Sequence, residues 1–218
     1  MRNSRQPLLL LVLLTVSSSI SNADTCDINK TLNKNEWTQI GLPCEPPSEA
    51  NSVTDILADD LTGTYGSDWM IYGYNTETNS YDDIGLSGQM DAGKGYWIIS
   101  TQASATLDLP NNSTTVSLAA PPQCALDNCY ESALAASEKT QWQMIANPLP
   151  ENFSWSNLRI ATNDESGTCG DSDGCSIAEA ETANLVHKQG WVYNAGTKTY
   201  LITTIAKPLY TVYNNSIA

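Results

Sequence analysis

An acidic segment between two cysteines is the most concentrated set of oxygen ligands in the 218-residue chain. Asp164, Asp171 and Asp173 crowd around Cys169 and Cys175. Calcium prefers several oxygen ligands at short range, and a crosslinked loop can present them together. The ligand spacing of an EF-hand fails here, and the alternative is a solvated acidic loop. We therefore name calcium as the one candidate cofactor, with these three aspartates as its ligands.

Tyrosine and tryptophan offer a second kind of chemistry. The chain holds six Trp and ten Tyr residues but only one Phe. Tyr and Trp join a large apolar face to one polar atom, which suits binding to sugars and to protein surfaces. Three tryptophans occupy apolar strand contexts and are expected in the core: Trp37, Trp97 and Trp142. Three residues near predicted loops are the candidates for ligand binding: Tyr65, Tyr130 and Trp155.

No familiar catalytic motif is complete, so we expect no enzymatic activity. The single histidine, His187, has no accompanying nucleophile elbow, and Gly85-Leu-Ser87-Gly88 only imitates one. Residues 88–95 resemble a P-loop, but Gly95 stands where a magnesium-binding Ser or Thr is needed, and a strand is predicted to follow. A secreted hydrolase that uses unrecognised carboxylates stays a further hypothesis. The net charge of −14 excludes an unaided nucleic-acid binder.

Residues 1–23 have the three parts of a secretory signal peptide. Arg2 and Arg5 are followed by the apolar run 8–16 and by Ser21-Asn22-Ala23, whose small residues suit cleavage. The run is too short to span a bilayer. We expect a secreted, periplasmic or cell-surface protein with no membrane span in the mature chain. Its partner would be a surface protein or a glycan, not a nucleic acid.

The cysteines agree with export. All six follow the signal segment, and an even number in an exported chain indicates disulfides. Fifteen pairings exist for six cysteines, and clustering along the chain favours neighbours: Cys26–Cys44, Cys124–Cys129 and Cys169–Cys175.

The chain also contains a degenerate internal repeat. Trp37-Thr-Gln-Ile-Gly-Leu-Pro43 aligns with Trp142-Gln-Met-Ile-Ala-Asn-Pro148. Further on, Tyr74-Asn75 with Tyr81 aligns with Tyr193-Asn194 with Tyr200. Such self-similarity indicates duplicated structural units. We define a first unit (24–118), a linker with a small disulfide loop and a short helix (119–141), and a second unit (142–218).

Each unit is predicted to consist mainly of strands. Apolar and β-branched runs predict strands at 69–74 and 96–99, and alternation predicts strands at 105–109 and 116–118. Capping-box patterns predict short helices that begin after Ser52 and Ser176, the second running to about Leu185, and a third helix is expected at 130–139. The fold class is therefore mainly β: two related antiparallel units, a few short helices and disulfide crosslinks.

Four motifs of the first unit carry a resemblance. Trp-x-x-Ile-Gly-Leu-Pro, Ser-Val-x-Asp-Ile-Leu, Tyr-x-Tyr-Asn and Ala-Gly-Lys-Gly-Tyr-Trp-Ile together resemble a repeat module of secreted and cell-surface bacterial proteins. The resemblance covers residues 28–109 well and 114–213 loosely. It implies β-rich extracellular repeats and supplies no catalytic residues.

These observations lead to three hypotheses about function. The first is an exported, non-enzymatic bacterial surface module that acts structurally, adhesively or by binding protein. The second is a carbohydrate-binding module that uses exposed Trp and Tyr, and the third is the secreted hydrolase.

Overall fold

The computed structural model describes most of the first unit and part of the second. The described residues are 26, 30–118, 130, 142–149, 153–162, 169–170, 174–194, 196–203 and 211–212. Within them the chain is mainly β, with antiparallel sheets and two short α-helices. The predicted fold class is confirmed.

The described part of the first unit contains six strands and one helix: β1 (Lys30–Leu32), β2 (Thr38–Gly41), α1 (Val53–Leu57), β3 (Trp69–Asn75), β4 (Ser80–Asp83), β5 (Gly95–Ser100) and β6 (Ala105–Leu107). The described part of the second unit contains β7 (Phe153–Ser154), a 3-10 turn (Trp155–Asn157), β8 (Arg159–Ile160), β9 (Cys175–Ser176), α2 (Ile177–Thr182), β10 (Gly190–Asn194), β11 (Thr199–Thr203) and β12 (Thr211–Val212).

A four-stranded antiparallel sheet forms the centre of the first unit. Its strand order is β2-β5-β3-β4. The two apolar runs of the sequence become the central strands β5 and β3, where Ile98 pairs with Ile71 and Trp97 pairs with Tyr72. Because side chains alternate along a strand, these two pairs point to opposite faces of the sheet. The sheet therefore has an isoleucine face and an aromatic face.

The isoleucine face, which we call the inner face, is sealed by α1 and by the β1–β6 pair. Ile71 and Ile98 are fully buried there. They share one apolar cluster with Ile56 and Leu57 of α1 and with Leu107 of β6. Burial of whole aliphatic side chains contributes about 1.5–3 kcal/mol each. This inner core is what holds the aromatic face in place.

Both described helices begin at the predicted capping boxes. The Ser52 hydroxyl accepts a hydrogen bond from the Asp55 backbone N–H at 3.2 Å, and the Asp55 carboxylate accepts one from the Ser52 N–H at 3.1 Å. Ser176 and Glu179 form the same reciprocal pair at α2. The helix α2 ends at Thr182, earlier than predicted, because Ala183 already adopts a turn conformation.

Two predicted disulfides are present. Cys26–Cys44 and Cys169–Cys175 have Cα–Cα distances of 5.6 Å and 4.7 Å. The predicted pair Cys124–Cys129 lies outside the described residues, as does the predicted helix after Tyr130.

The hairpin β10–β11 of the second unit repeats the geometry of the hairpin β3–β4. In each, the two tyrosines of the aligned motif face each other across the strands and make an edge-to-face contact, at 5.1 Å in the first hairpin and 5.4 Å in the second. Each turn also has one residue with positive φ at the same place: Asn79 at 55° and Lys198 at 54°. The boundaries of the two units stay predictions.

The segment that begins the second unit lies on the first. Gly95 N–H donates to the Met144 carbonyl at 3.3 Å, and Ala146 N–H donates to the Gly93 carbonyl at 2.9 Å. Gly41 approaches so closely that a Cβ added there would lie 2.1 Å from the Ala146 Cβ. The glycine is required by this contact between the units.

One predicted strand is wrong. Residues 116–118 belong to no strand, and nearby Thr114 forms an isolated bridge with Glu45. Val116 is buried while Leu118 is exposed, so the two side chains do not share one buried face as strand alternation requires. Among the described residues, no helix has the length and apolar character needed to cross a membrane.

Candidate functional site

The aromatic face of the four-stranded sheet is the outer face, turned away from the inner core. Alternation places Tyr72 of β3, Tyr81 of β4 and Trp97 of β5 on this face. Trp37 directly precedes β2 and contacts both Tyr72 and Trp97 through ring edges, with centroid distances of 5.7 Å and 6.5 Å. The sheet thereby brings together four aromatic side chains: one from the residue before β2 and one each from β3, β4 and β5.

The hairpin β10–β11 adds two tyrosines from the second unit. The Tyr193 ring meets Trp97 edge-to-face at 4.8 Å, and its backbone N–H donates to Gln39 Oε1 at 3.3 Å. Tyr200 lies against Tyr193 at 5.4 Å. At the hairpin turn, Lys198 Nζ lies 3.4 Å from Glu36 Oε1. The hairpin is thus attached to the outer face at several points.

Together these rings form what we call the aromatic groove, an open cavity of about 380 Å³. It is lined by six residues, all Trp or Tyr: Trp37, Tyr72, Tyr81, Trp97, Tyr193 and Tyr200. Five of the rings are joined into one cluster by edge-to-face contacts. Each such contact contributes about 0.5–1.5 kcal/mol beyond simple area burial, so the contacts stabilise the arrangement of the rings.

The groove has a buried floor and exposed walls. Trp97 is 8% exposed, whereas Trp37 is 40%, Tyr81 48% and Tyr200 50% exposed. Large aromatic surface that remains open to solvent in a folded chain marks a site of interaction. Trp191 and Ile202, which pair across β10–β11 on the same face as Tyr193 and Tyr200, are also nearly half exposed and extend this surface.

The polar atoms of the groove belong to two indoles and four phenols. Indole N–H groups only donate, whereas a phenol hydroxyl donates one hydrogen and also accepts. The Tyr200 hydroxyl is hydrogen-bonded to that of Tyr81; partial burial, with the neighbouring Tyr81, raises the pKa of Tyr200 to about 12. Its hydroxyl therefore stays protonated at neutral pH. The nearby acceptor Gln39 Oε1 already receives the Tyr193 N–H.

Two carboxylates stand at the rim. Asp83 is the cross-strand partner of Tyr72 and accepts hydrogen bonds from the Tyr65 hydroxyl and the Gly85 N–H. Glu36 precedes Trp37, and hydrogen bonding to Asn33 together with Lys198 holds its pKa below the usual range. Among the described residues, no Lys or Arg lies within ion-pair distance of Asp83. Asp83 is therefore an acidic residue beside the groove without a cationic partner among the described residues.

The three aromatic residues predicted to bind ligand lie elsewhere. The Tyr65 ring packs edge-to-face on Trp69 at 4.8 Å. The Tyr130 hydroxyl donates to the Ala92 carbonyl at 3.1 Å, and the Trp155 indole N–H donates to the Lys188 carbonyl at 3.2 Å. All three are half-buried, and each spends its polar atom within the chain. A binding role for them stays a prediction.

The predicted calcium ligands Asp164, Asp171 and Asp173 lie outside the described residues. In the described part of the chain, no group of three or more His, Cys, Asp and Glu side chains is placed to hold a metal ion. Lys94 of the P-loop-like segment pairs with Asp91 at 2.6 Å in the turn before β5.

Sequence reasoning placed two of the important tryptophans wrongly. Trp37 and Trp142 were expected in the core and are instead 40% and 50% exposed. Trp37 is three residues from the buried Ile40, and this odd spacing already points the two side chains to opposite faces of a strand. The Tyr-x-Tyr alternation of β3 is a second signal, because Tyr72 and Tyr74 occupy the face of the strand that Ile71 does not. No such signal indicated that Tyr193 and Tyr200 of the second unit would join this site.

The resemblance to a bacterial surface repeat rests on the sequence alone. No family model matches this chain, and no curated protein or solved structure matches it.

Proposed function

We propose that this chain is an exported, non-enzymatic interaction module of a bacterial surface, and that it binds its partner in the aromatic groove. The observation that carries the proposal is the groove itself: six Trp and Tyr side chains, contributed by both units, with three walls that are 40–50% exposed. Rigid aromatic rings of this kind dominate the affinity of interfaces at low entropic cost.

Export is supported by the signal-like segment 1–23 and by the disulfides Cys26–Cys44 and Cys169–Cys175, since disulfides persist in oxidising compartments. The bacterial assignment comes from the resemblance of residues 28–109 to surface repeats.

Carbohydrate binding is the second candidate, because partly exposed Trp and Tyr rings also stack on sugar rings. The lining residues offer indole N–H donors and phenol hydroxyls that both donate and accept, so hydrogen bonds to sugar hydroxyls are also available there.

The experiment compares two tryptophans of nearly equal exposure. The oxidised chain, Trp37→Ala and Trp142→Ala are each screened against a displayed library of random peptides and against a glycan array. We expect Trp142→Ala to bind the ligands of the wild type with unchanged affinity. Trp37→Ala should bind them about tenfold or more weakly, as is typical when a hot-spot residue is removed. Thermal unfolding of the three proteins controls for folding.

Ligands that bind Trp37→Ala and Tyr200→Ala as tightly as the wild type would show that the groove is not the binding site. Turnover of any substrate in a polysaccharide and ester panel would contradict the non-enzymatic part of the proposal.

A further inference from the structure

The aromatic groove has a lining of one chemical kind, and this lining selects a class of ligand. All six lining residues are Trp or Tyr, with no aliphatic, amide or charged side chain among them. We infer that the groove is an aromatic cage for a quaternary ammonium group, such as the trimethylammonium end of choline. This inference rests on the proposed function and names the chemical group that the partner carries.

The rings are arranged as the walls of a cage. Neighbouring rings meet at interplanar angles between 63° and 89°, so they enclose a cavity instead of stacking as one flat platform. Their centroids are between 4.8 and 6.5 Å apart. A cation is attracted to a Trp or Tyr ring when it lies over the ring face within about 6 Å of the centroid. A compact cation in this cavity therefore comes within reach of several rings at the same time.

The cavity has room for the cation and for the start of the chain that carries it. Its volume of about 380 Å³ is at the lower end of the range for small-molecule sites. Trp97 at the floor is buried, whereas Tyr81 and Tyr200 at the walls are about half exposed. The attraction between a cation and a ring is stronger where water is excluded. The cation is therefore held best at the floor, and the attached chain leaves past the exposed walls.

The charges beside the groove favour a cation over an anion. Within two residues of a lining position the sequence has three carboxylates and one ammonium: Glu36, Asp82, Asp83 and Lys198. Lys198 Nζ lies 3.4 Å from Glu36 Oε1, so these two charges offset each other. The other two are acidic, and the whole chain has a net charge of −14. The resulting field attracts cations toward this surface.

The lining also distinguishes a quaternary ammonium from a primary one. A primary ammonium, like that of lysine, carries three N–H donors that need acceptors when water is lost. The lining offers phenol hydroxyls as its acceptors, and those of Tyr81 and Tyr200 already bond to each other. Gln39 Oε1, beside the groove, already accepts the Tyr193 N–H. A quaternary ammonium has no N–H group, so it enters without leaving a donor unpaired.

The test uses the oxidised chain and three probes that share a hydroxyethyl group. Choline carries trimethylammonium, its neutral carbon isostere carries a tert-butyl group in the same place, and ethanolamine carries a primary ammonium. Titration calorimetry and tryptophan fluorescence follow binding. We expect saturable binding of choline, with the isostere and ethanolamine each about tenfold weaker or more, because only choline combines a positive charge with methyl groups.

Vesicles identify the source of the group. Phosphatidylcholine vesicles display trimethylammonium at their surface, and phosphatidylglycerol vesicles do not. Binding to the first alone, with displacement by choline, supports a group that is recognised on a surface. Binding of choline without binding to vesicles supports the same cage with a free solute as its ligand.

Matched variants locate the bound group. Tyr200→Leu should weaken choline binding about tenfold more than Tyr200→Phe does, because Phe keeps the ring and loses only the hydroxyl. A ligand held through the hydroxyl, such as a sugar, would lose equally with both. Trp37→Leu should also weaken choline about tenfold, and Trp142→Ala should leave it unchanged. Thermal unfolding confirms that each variant is folded.

Two negative results have different meanings. If choline binds no more tightly than its neutral isostere, or does not bind, the inference is overturned. If choline binds selectively but Trp37→Leu and Tyr200→Leu keep full affinity, its site is elsewhere and the inference also fails. The proposed function is decided separately, by whether peptide or glycan ligands lose affinity with Trp37→Ala.

Discussion

The hairpins β3–β4 and β10–β11 have the same register, the same tyrosine pair and the same turn, but opposite surroundings. In the first, Ile71 on one side is sealed in the inner core, and the hairpin is part of a four-stranded sheet. Among the described residues, the second hairpin pairs with no further strand. An isolated two-stranded hairpin is marginally stable in water. The second hairpin is stabilised by its contacts with the outer face of the first unit, through Tyr193 and Lys198.

The comparison teaches that one short motif can serve two purposes. In the first unit, its tyrosines extend a sheet whose stability comes from the opposite face. In the second unit, Tyr193 and Tyr200 make the contacts that attach one unit to the other, and Tyr200 reaches its aligned counterpart Tyr81 through the hydroxyls. Gly41 and Ala146 are also aligned counterparts, and they too are in contact.

The largest loss of stability should come from a substitution on the inner face. Ile71→Ala removes a fully buried side chain, so we expect a loss of about 2–5 kcal/mol of unfolding free energy, the range for large-to-small core changes. Leu201→Ala on the second hairpin should cost about 1 kcal/mol of unfolding free energy, because Leu201 is only half-buried and buries less apolar area on folding. Urea unfolding of both variants measures the difference. Equal losses would mean that the second hairpin has a core comparable to that of the first.

The disulfide of the first unit should contribute more to stability than the disulfide of the second unit. Cys26 and Cys44 are 18 residues apart, whereas Cys169 and Cys175 are only six apart. Since a longer loop loses more entropy in the unfolded chain, we expect removal of Cys26–Cys44 to cost about 3 kcal/mol and removal of Cys169–Cys175 to cost less. Paired Cys→Ser variants and thermal unfolding test this order. A greater loss from the shorter loop would contradict the chain-entropy account.

Gly41→Ala should disturb the contact between the units without emptying the core. Its new Cβ would overlap Ala146, and overpacking of this kind costs about 1–3 kcal/mol. Adding Ala146→Gly returns the space and should recover most of the loss. Hydrogen exchange at residues 142–149 and the near-ultraviolet circular dichroism report the effect. If the double variant is no better than Gly41→Ala alone, the two residues are not in contact.

The smallest effect should be a change with pH at the outer face. The pKa of Tyr200 is raised from 10.0 to about 12, so the folded state favours the protonated hydroxyl. The resulting stabilisation is complete below pH 10 and is lost as the pH rises toward 12. Tyr200→Phe should flatten part of this decline. Tyrosinate absorbance and unfolding at several pH values provide the measurement; an unchanged slope in Tyr200→Phe would show that Tyr200 does not contribute.

Much of the first unit was predictable because its signals are local. The apolar runs at 69–74 and 96–99 identified the two central strands, and the reciprocal pairs Ser52–Asp55 and Ser176–Glu179 marked the starts of both helices. Clustering of cysteines identified two disulfides. In each case the physical cause lies within a few neighbouring residues, so no knowledge of the tertiary structure was needed.

The aromatic groove was beyond those signals. Whether Trp37 is core or surface depends on which face of the sheet the helix covers, and that is decided by packing across distant segments. The strand expected at 116–118 failed for the same reason, since a strand exists only where another segment pairs with it.

The sequence by itself determined the β-rich class, the repeated hairpin and the disulfide pairing of neighbours, because periodicity, turn chemistry and proximity along the chain act locally. Only the tertiary structure decided that Tyr193 and Tyr200 cross from the second unit to complete a groove on the first. The reason is physical: the contacts of Tyr193 with Trp97 and of Tyr200 with Tyr81 join residues far apart in the sequence, and no local pattern specifies which distant segments pack together.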